Sequence, residues 1–264
     1  MNTEDIGQIV VASVRQMPTA GKYLIGDIVT KNLTKAFEIR NGKLTVMPEI
    51  AEPSYCSSAT YIAFVQTLLT PELNLELDAH TLSALKPKGE VDGDGFWGRW
   101  NANGPGTPCL FHELNLGINF TDIGKATPGD FIKISWNGII GVDPKKSADQ
   151  NEKGHSAIFL GSRKDNSGAL WIDFWTSNEA NYLYPDYWHD REHYVKVADR
   201  PDLTGYSYRT IRTNDYPELF MIFSRLQHPE NILRHLPPRN QYLHDLMSRQ
   251  SSREEEAMQC GLTP

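Results

Sequence analysis

The sequence predicts an α+β protein in which one helix packs against an antiparallel sheet. The helix is indicated by Pro53 and Ser54 at a capping position, followed by apolar residues at helical spacing up to Pro71. Strand patterns follow at residues 131–136, 156–160, 170–175, 194–199 and 206–213. We therefore expect an antiparallel sheet of about four to six strands.

The regions outside this core predict helices and one long loop. Residues 5–17 have the pattern of an amphipathic helix, and the chain from Pro217 onward is also helical in character. Residues 86–128 are rich in Gly, Pro and Asn, which is typical of a long loop region. The predicted division is a main domain over 1–215, with a core at 53–180 and a loop insertion at 72–128, and a C-terminal helical extension over 216–264.

Composition and charge limit the classes of function. The 264 residues are 39% hydrophobic, which is enough for a core without disulfides or metals. The net charge is −7 and basic residues form no stripe, so we expect no nucleic-acid partner. No stretch has the length of a membrane span, and the N-terminus lacks the pattern of a secretory signal. We expect a soluble chain, with secreted or periplasmic action or export without a signal as alternatives.

The three cysteines predict neither a disulfide framework nor a metal centre. Cys56, Cys109 and Cys260 are odd in number and widely spaced. Cys109 and His112 form a C-x-x-H pair, but no second pair with comparable spacing accompanies it. We therefore expect no metal and no other cofactor.

Cys56 is the candidate nucleophile. It lies in the first turn of the predicted helix, where the positive end of the helix dipole favours the thiolate over the thiol. A second stabilising group, an imidazole, is needed to activate it. His155 is the candidate base, because it begins the apolar strand pattern GHSAIFLG and so would lie at a sheet edge facing the helix.

A third polar group is expected to orient the ring of His155. The next strand offers Asp173, and Asn178 follows shortly after it. The sequence leaves the choice between these two residues open.

Three motifs in this order resemble the NlpC-type cell-wall peptidases and the related CHAP amidases. They are the cysteine that opens a helix (SYCSSATYIAFV), the strand PGDFIKISW and the strand GHSAIFLG. The resemblance implies a papain-like fold with additional C-terminal helices. It also implies amide hydrolysis through a thioester, with Cys56 as nucleophile, His155 as base and Asp173 or Asn178 as orienting group. The oxyanion would be stabilised by the backbone at Cys56, with Tyr55 beside it.

Aromatic residues predict a groove for the substrate. Trp97 and Trp100 lie in a glycine-rich segment, and Trp175 ends a strand, so these rings are candidates to cover a peptide or sugar. Arg99 is a candidate to bind a substrate carboxylate. The alternatives are that the tryptophans belong to the core of the sheet and that Arg99 is an exposed loop residue.

The resulting hypothesis is a cysteine peptidase or amidase that cleaves amide bonds in bacterial cell-wall peptides. Its partner would be a peptide or peptidoglycan fragment and, if the protein is an effector, a cognate inhibitor. One alternative is a papain-like acyltransferase or deamidase that acts on proteins. Another is an inactive module that binds glycan or protein, in which Cys56 is unreactive and far from His155.

Overall fold

Six antiparallel strands form the main sheet of the part of the chain that the computed structural model describes, namely residues 3–18, 23–90, 93–104, 106–177, 208–237 and 249–262. The helices of these ranges are α1 (Thr3–Arg15), α2 (Asp27–Lys35), α3 (Cys56–Leu69), α4 (Ala79–Leu85), α5 (Gly95–Asn101), α6 (Gly106–Leu114) and α7 (Arg253–Gln259). The strands are β1 (Phe37–Arg40), β2 (Lys43–Val46), β3 (Gly117–Phe120), β4 (Phe131–Ser135), β5 (Ile140–Gly141), β6 (Gly154–Lys164), β7 (Leu170–Trp175), β8 (Tyr208–Arg212), β9 (Phe220–Leu226) and β10 (Gln250–Ser251). The predicted α+β class and the predicted antiparallel sheet are confirmed.

The order of strands in the main sheet is β3-β9-β4-β6-β7-β8. The predicted strands at 131–136, 156–160, 170–175 and 206–213 correspond to β4, β6, β7 and β8. The predicted strand at 194–199 lies outside the described residues. Two further pairs, β1 with β2 and β5 with β10, flank the main sheet.

The predicted helical extension after residue 215 is wrong over its first part. Residues 220–226 form β9, which pairs with β3 on one side and β4 on the other, so the C-terminal region belongs to the sheet itself. Met221, Ile222 and Phe223 are all buried, because β9 is covered on both faces. A short run that is apolar throughout does not distinguish a buried strand from a buried helix.

The predicted long loop with short elements over residues 72–128 is more ordered than expected: it contains the helices α4, α5 and α6, of seven to nine residues, and strand β3. Its aromatic residues pack against α3: the rings of Phe64 and Trp100 stack with centroids 4.8 Å apart, and those of Tyr61 and Trp97 lie 5.4 Å apart. Burial of these rings stabilises short helices that glycine-rich sequences would not form alone.

The main sheet has two buried faces, which alternate along each strand. The face that packs against α3, here called the helix face, includes Phe131, Ile158 and Leu160. The opposite face, here called the far face, includes Ala157 and Phe159. Every second residue of β6 therefore points towards α3, and the residues between them point away from it.

Asp130 of the PGD motif connects the start of β4 to β9. Both of its carboxylate oxygens accept hydrogen bonds from Arg225, at 2.9 and 2.7 Å, and one also accepts from the backbone N–H of Thr127 at 2.8 Å. The Asp130 side chain is 3% exposed. Removing either partner of a buried ion pair destabilises the fold, because the remaining charge stays buried without compensation.

We expect Asp130→Asn to lower the free energy of unfolding by about 3 kcal/mol, because it leaves the Arg225 guanidinium partly buried and unpaired. Chemical denaturation at pH 7 measures the change. Asp149→Asn, at an exposed position, is the matched control and should change stability by less than about 0.5 kcal/mol. An equal, small effect of both substitutions would contradict this role for Asp130.

Candidate active site

Cys56 is the first residue of α3, and Tyr55 is the N-cap residue. The thiol lies beside the backbone of β6 at Ser156, and the backbone groups of Ser156, Ser57 and Cys56 each lower its pKa. Amides of the first helical turn have no partner within the helix and are available to an anion at this position. The predicted position of Cys56 in the opening turn is confirmed.

The pKa of Cys56 is raised above its ordinary value, because burial penalises the thiolate. The backbone hydrogen bond from Ser156 and the positive charge of Lys133 act in the opposite direction. The thiol is therefore protonated in the resting protein at neutral pH, with groups around it that favour the anion once it forms.

Tyr55 does not direct its hydroxyl towards the thiol. Its phenol oxygen accepts a hydrogen bond from Gly26 N–H at 2.9 Å and donates to the Gly26 carbonyl at 3.2 Å. The phenol therefore joins the segment before α2 to the start of α3. Tyr55 as an oxyanion donor is corrected on this ground, whereas the backbone amide of Cys56 remains a candidate.

His155 points away from Cys56. Its neighbour Ser156 presents its backbone to the thiol, but the His155 ring lies on the far face, where it contacts Trp136 and Phe174. Its Nε2 is 2.9 Å from Thr176 Oγ1. The predicted dyad is therefore not assembled, because adjacent residues of a strand point to opposite faces.

The charge state of His155 agrees with this placement. Burial lowers the pKa of His155 to about 3, and the positive charges of Arg209 and Lys133 act in the same direction. A histidine paired with a thiolate has a raised pKa instead. His155 is thus a neutral, buried imidazole in the resting protein.

Asp173 does not orient His155, which corrects that prediction. Arg163 Nη1 lies 2.7 Å from each of its carboxylate oxygens, and Thr210 Oγ1 donates to one of them. In the sheet, Asp173 is opposite Gly161, six residues along β6 from His155, a separation of roughly 20 Å. The other candidate, Asn178, lies outside the described residues.

The charged neighbour of the thiol is Lys133, which the sequence patterns did not indicate. Lys133 is directly opposite Ser156 in the β4–β6 register, so both point to the helix face. Its ammonium lies 3.4 Å from Glu152 Oε1, and both side chains are largely buried. Burial would lower the pKa of Lys133, but the charges of Glu152, Cys56 and Glu256 outweigh it and raise the pKa. In the strand pattern FIKIS, Lys133 occupies the polar position, and a polar residue in such an alternation is usually exposed to solvent.

Glu152 and the segment 101–106 complete the surroundings of Lys133. Glu152 Oε2 accepts hydrogen bonds from the backbone N–H of Gly104 at 3.0 Å and of Gly141 at 2.8 Å. Gly106, whose φ is 45°, lies next to the ammonium: a Cβ added there would be in ordinary contact with Lys133 Nζ at 4.0 Å. Ser57 Oγ donates to Asn101 Oδ1, which ties the same segment to the first turn of α3.

The predicted groove residues at 97–100 belong to the interior. Trp97 and Trp100 are each 2% exposed and pack with Tyr61, so they form core and not groove. Arg99 is 4% exposed and binds Glu113 at 3.0 Å together with the carbonyls of Gly93 and Pro237. The predictions for these three residues are wrong, because the side chains of Trp97, Arg99 and Trp100 are all buried where α5 packs in the core.

Trp175 has a different environment. It is 3% exposed on the helix face, and it lines a recess beside α3 with Ala59, Ile62 and Ser54. Its role in substrate binding stays a prediction.

Within the described ranges, no group of three or more His, Cys, Asp or Glu side chains is arranged to hold a metal ion. Cys109 is buried in α6. Burial raises its pKa, and the charges of Glu113 and Glu256 raise it further. In the same part of the chain, no helix is both long and apolar enough to cross a membrane.

Comparison of the chain with protein-family models, curated proteins and solved structures found no significant match. The resemblance to NlpC-type peptidases therefore depends on the three sequence motifs. The chemistry of the site has to be argued from its geometry.

We expect Lys133→Gln to slow the labelling of Cys56 by iodoacetamide about tenfold at pH 8, because the loss of a nearby positive charge raises the thiol pKa by about one unit. Peptide mapping by mass spectrometry reports the rate at Cys56. Lys153→Gln removes the same charge at an exposed position of the adjacent loop and should leave the rate unchanged. Equal rates in all three proteins would contradict the influence of Lys133.

His155 should contribute an acid-sensitive part of stability. Its pKa is lower in the folded protein than in the unfolded chain, so protonation favours unfolding as the pH falls from about 6.5 towards 3. Relative to His155→Gln, we expect the wild type to lose about 2 kcal/mol between pH 7 and pH 5. Denaturation curves at both pH values measure this. Parallel loss in both proteins, or a gain for the wild type, would indicate an imidazole that is charged when folded.

Proposed function

We propose that this protein is a papain-like cysteine hydrolase of amide bonds, with Cys56 as the nucleophile. The observation that carries the proposal is the surroundings of the thiol. The Cys56 thiol begins a buried helix, faces the backbone of Ser156 and lies within the field of the Lys133 ammonium. Buried ionisable groups that converge on one nucleophile are a feature of catalytic sites, since they are costly for stability alone.

In the proposed reaction, the Cys56 thiol gives its proton to a solvent water and the thiolate attacks the amide carbonyl. A C–S bond forms, the C–N bond breaks as the leaving amine takes up a proton from solvent, and a second water then cleaves the thioester to release the carboxylic acid and regenerate the thiol. The backbone amides at the start of α3 and of Ser156 are the candidate donors to the oxyanion. Lys133 stabilises the anionic sulfur, as an imidazolium does in a Cys–His pair.

The proposed substrates are amide bonds in bacterial cell-wall peptides. Support for this substrate class comes from the resemblance of the PGD and GHSAIFLG strands to those of cell-wall peptidases.

The placement of His155 favours a second candidate function. A papain-like scaffold that binds its ligand without cleaving it needs neither a base nor a low thiol pKa. The far-face position of His155 and the raised pKa of Cys56 are the observations that support it.

We expect the intact protein to release peptides from purified cell-wall sacculi, and Cys56→Ser to release at least about a thousandfold less, because the alcohol is a far weaker nucleophile here. Mass analysis of soluble muropeptides is the readout, and circular dichroism confirms that the variant is folded. Lys153→Gln should retain wild-type release. An unchanged muropeptide profile with wild-type protein, together with binding to sacculi, would instead support the second candidate.

A further inference from the structure

The C-terminal segment brings one more carboxyl group to the cysteine site. Helix α7 begins with a capping box, in which Ser252 Oγ accepts from Glu255 N–H and the Glu255 carboxylate accepts from Ser252 N–H. The strand before it, β10, pairs with β5 at Gln250 and Gly141. These contacts hold α7 so that Glu256, which is 1% exposed, points into the interior.

Glu256 lies beside the Lys133–Glu152 pair. A Cβ added to Gly104 would be 3.5 Å from Glu256 Oε2, and the N–H of the same glycine donates to Glu152 Oε2. Glu256 Oε2 itself is buried and has no hydrogen-bond partner. The two carboxyl groups therefore adjoin one glycine, with the Lys133 ammonium close to both.

The ionisable groups that face this carboxyl come from five elements. The charges that interact with it or with its neighbour Lys133 are those of Glu152 before β6, Lys133 of β4, Cys109 of α6, Cys260 after α7 and, through Lys133, Cys56 of α3. Lys133 is the cation that acts on both Glu256 and Cys56, whereas the cation that acts on Cys109 is Arg99. A negative charge on Glu256 and one on Cys56 therefore draw on the same ammonium.

We propose that Glu256 is a positioning residue for the cysteine reaction: as a neutral acid it leaves the charge of Lys133 to Cys56, and as a carboxylate it competes with the Cys56 thiolate for that charge. The proposal rests on the proposed role of Cys56 as nucleophile. It makes the C-terminal helix a part of the site, acting through Lys133 and without touching the substrate.

The expected charge states follow from burial. Burial and the nearby Glu152 raise the pKa of Glu256 to about 8, against the opposing effect of Lys133. Glu256 is then neutral at pH 6 and largely ionised at pH 9. A buried carboxyl without hydrogen bonds costs stability, so an apolar residue would serve a purely structural role better.

The test is the rate of Cys56 alkylation by iodoacetamide from pH 6 to pH 10, measured on the full chain by peptide mapping. We compare the wild type with Glu256→Gln, which keeps the shape and removes the ionisation. The rates should agree at pH 6, and the variant should react about tenfold faster at pH 9, where a unit charge shifts the thiol pKa by about one unit. Glu254→Gln makes the same change at an exposed position of α7 and should follow the wild type.

Equal rates of wild type and Glu256→Gln at pH 9 would overturn the proposal. A constant ratio at every pH would also overturn it, because lost packing does not depend on ionisation near pH 8. If Glu256→Gln does not fold, Glu256→Met, an uncharged residue of similar length, is compared with the wild type in the same way, and the same outcomes decide.

The proposed function fails separately. A pH-dependent difference between wild type and Glu256→Gln, without peptide release from sacculi, would support the coupling of Glu256 to Cys56 and reject hydrolysis of that substrate. Release of peptides by the wild type, together with equal alkylation profiles of wild type and Glu256→Gln, would support hydrolysis and reject the coupling of Glu256 to Cys56.

Discussion

The packing of α3 on the helix face of the sheet is the contact on which the rest of the structure depends. Almost every residue of α3 after Cys56 is buried, and its aromatic residues are surrounded by the rings of α5 and α6. This packing directs the start of the helix at the backbone of Ser156, in the middle of the sheet order. The position of the thiol is therefore determined by a large apolar interface and not by contacts of the thiol itself.

The same face of the sheet holds charge in an apolar interior. Lys133 emerges from a strand whose neighbouring residues are buried, and the Glu152 carboxylate, 3.4 Å from the ammonium, favours its charged form. Glu152 in turn accepts hydrogen bonds from the amides of Gly104, in the loop after α5, and Gly141, in β5. A network of this kind contributes little net stability compared with apolar packing. Its position beside a cysteine at a helix start is the reason for proposing a catalytic site there.

Much of the fold could be predicted from local patterns. The start of α3 at Cys56 and the strands β4, β6, β7 and β8 follow from capping residues and from the period of apolar residues. The elements that local patterns misassign are those stabilised by distant contacts. Residues 220–226 are a strand because β3 and β4 flank them, and Trp97 and Trp100 are core because α3 covers them. Of the candidate site, the position of Cys56 at the start of a helix could be predicted, whereas Lys133, Glu152 and Glu256 carry no local signal that separates them from exposed charged residues.

The sequence by itself determined the secondary structure around Cys56 and the presence of a histidine strand beside it. Only the tertiary structure decided which side of that strand meets the thiol. A strand alternates its side chains with a period of two, so a motif places His155 and Ser156 next to each other in the chain and on opposite faces of the sheet. The register of β4 against β6 determines which residues of β6 share a face with Lys133: it aligns Lys133 with Ser156 on the helix face. For this physical reason, the partner of the thiol in the structure is the lysine and not the histidine.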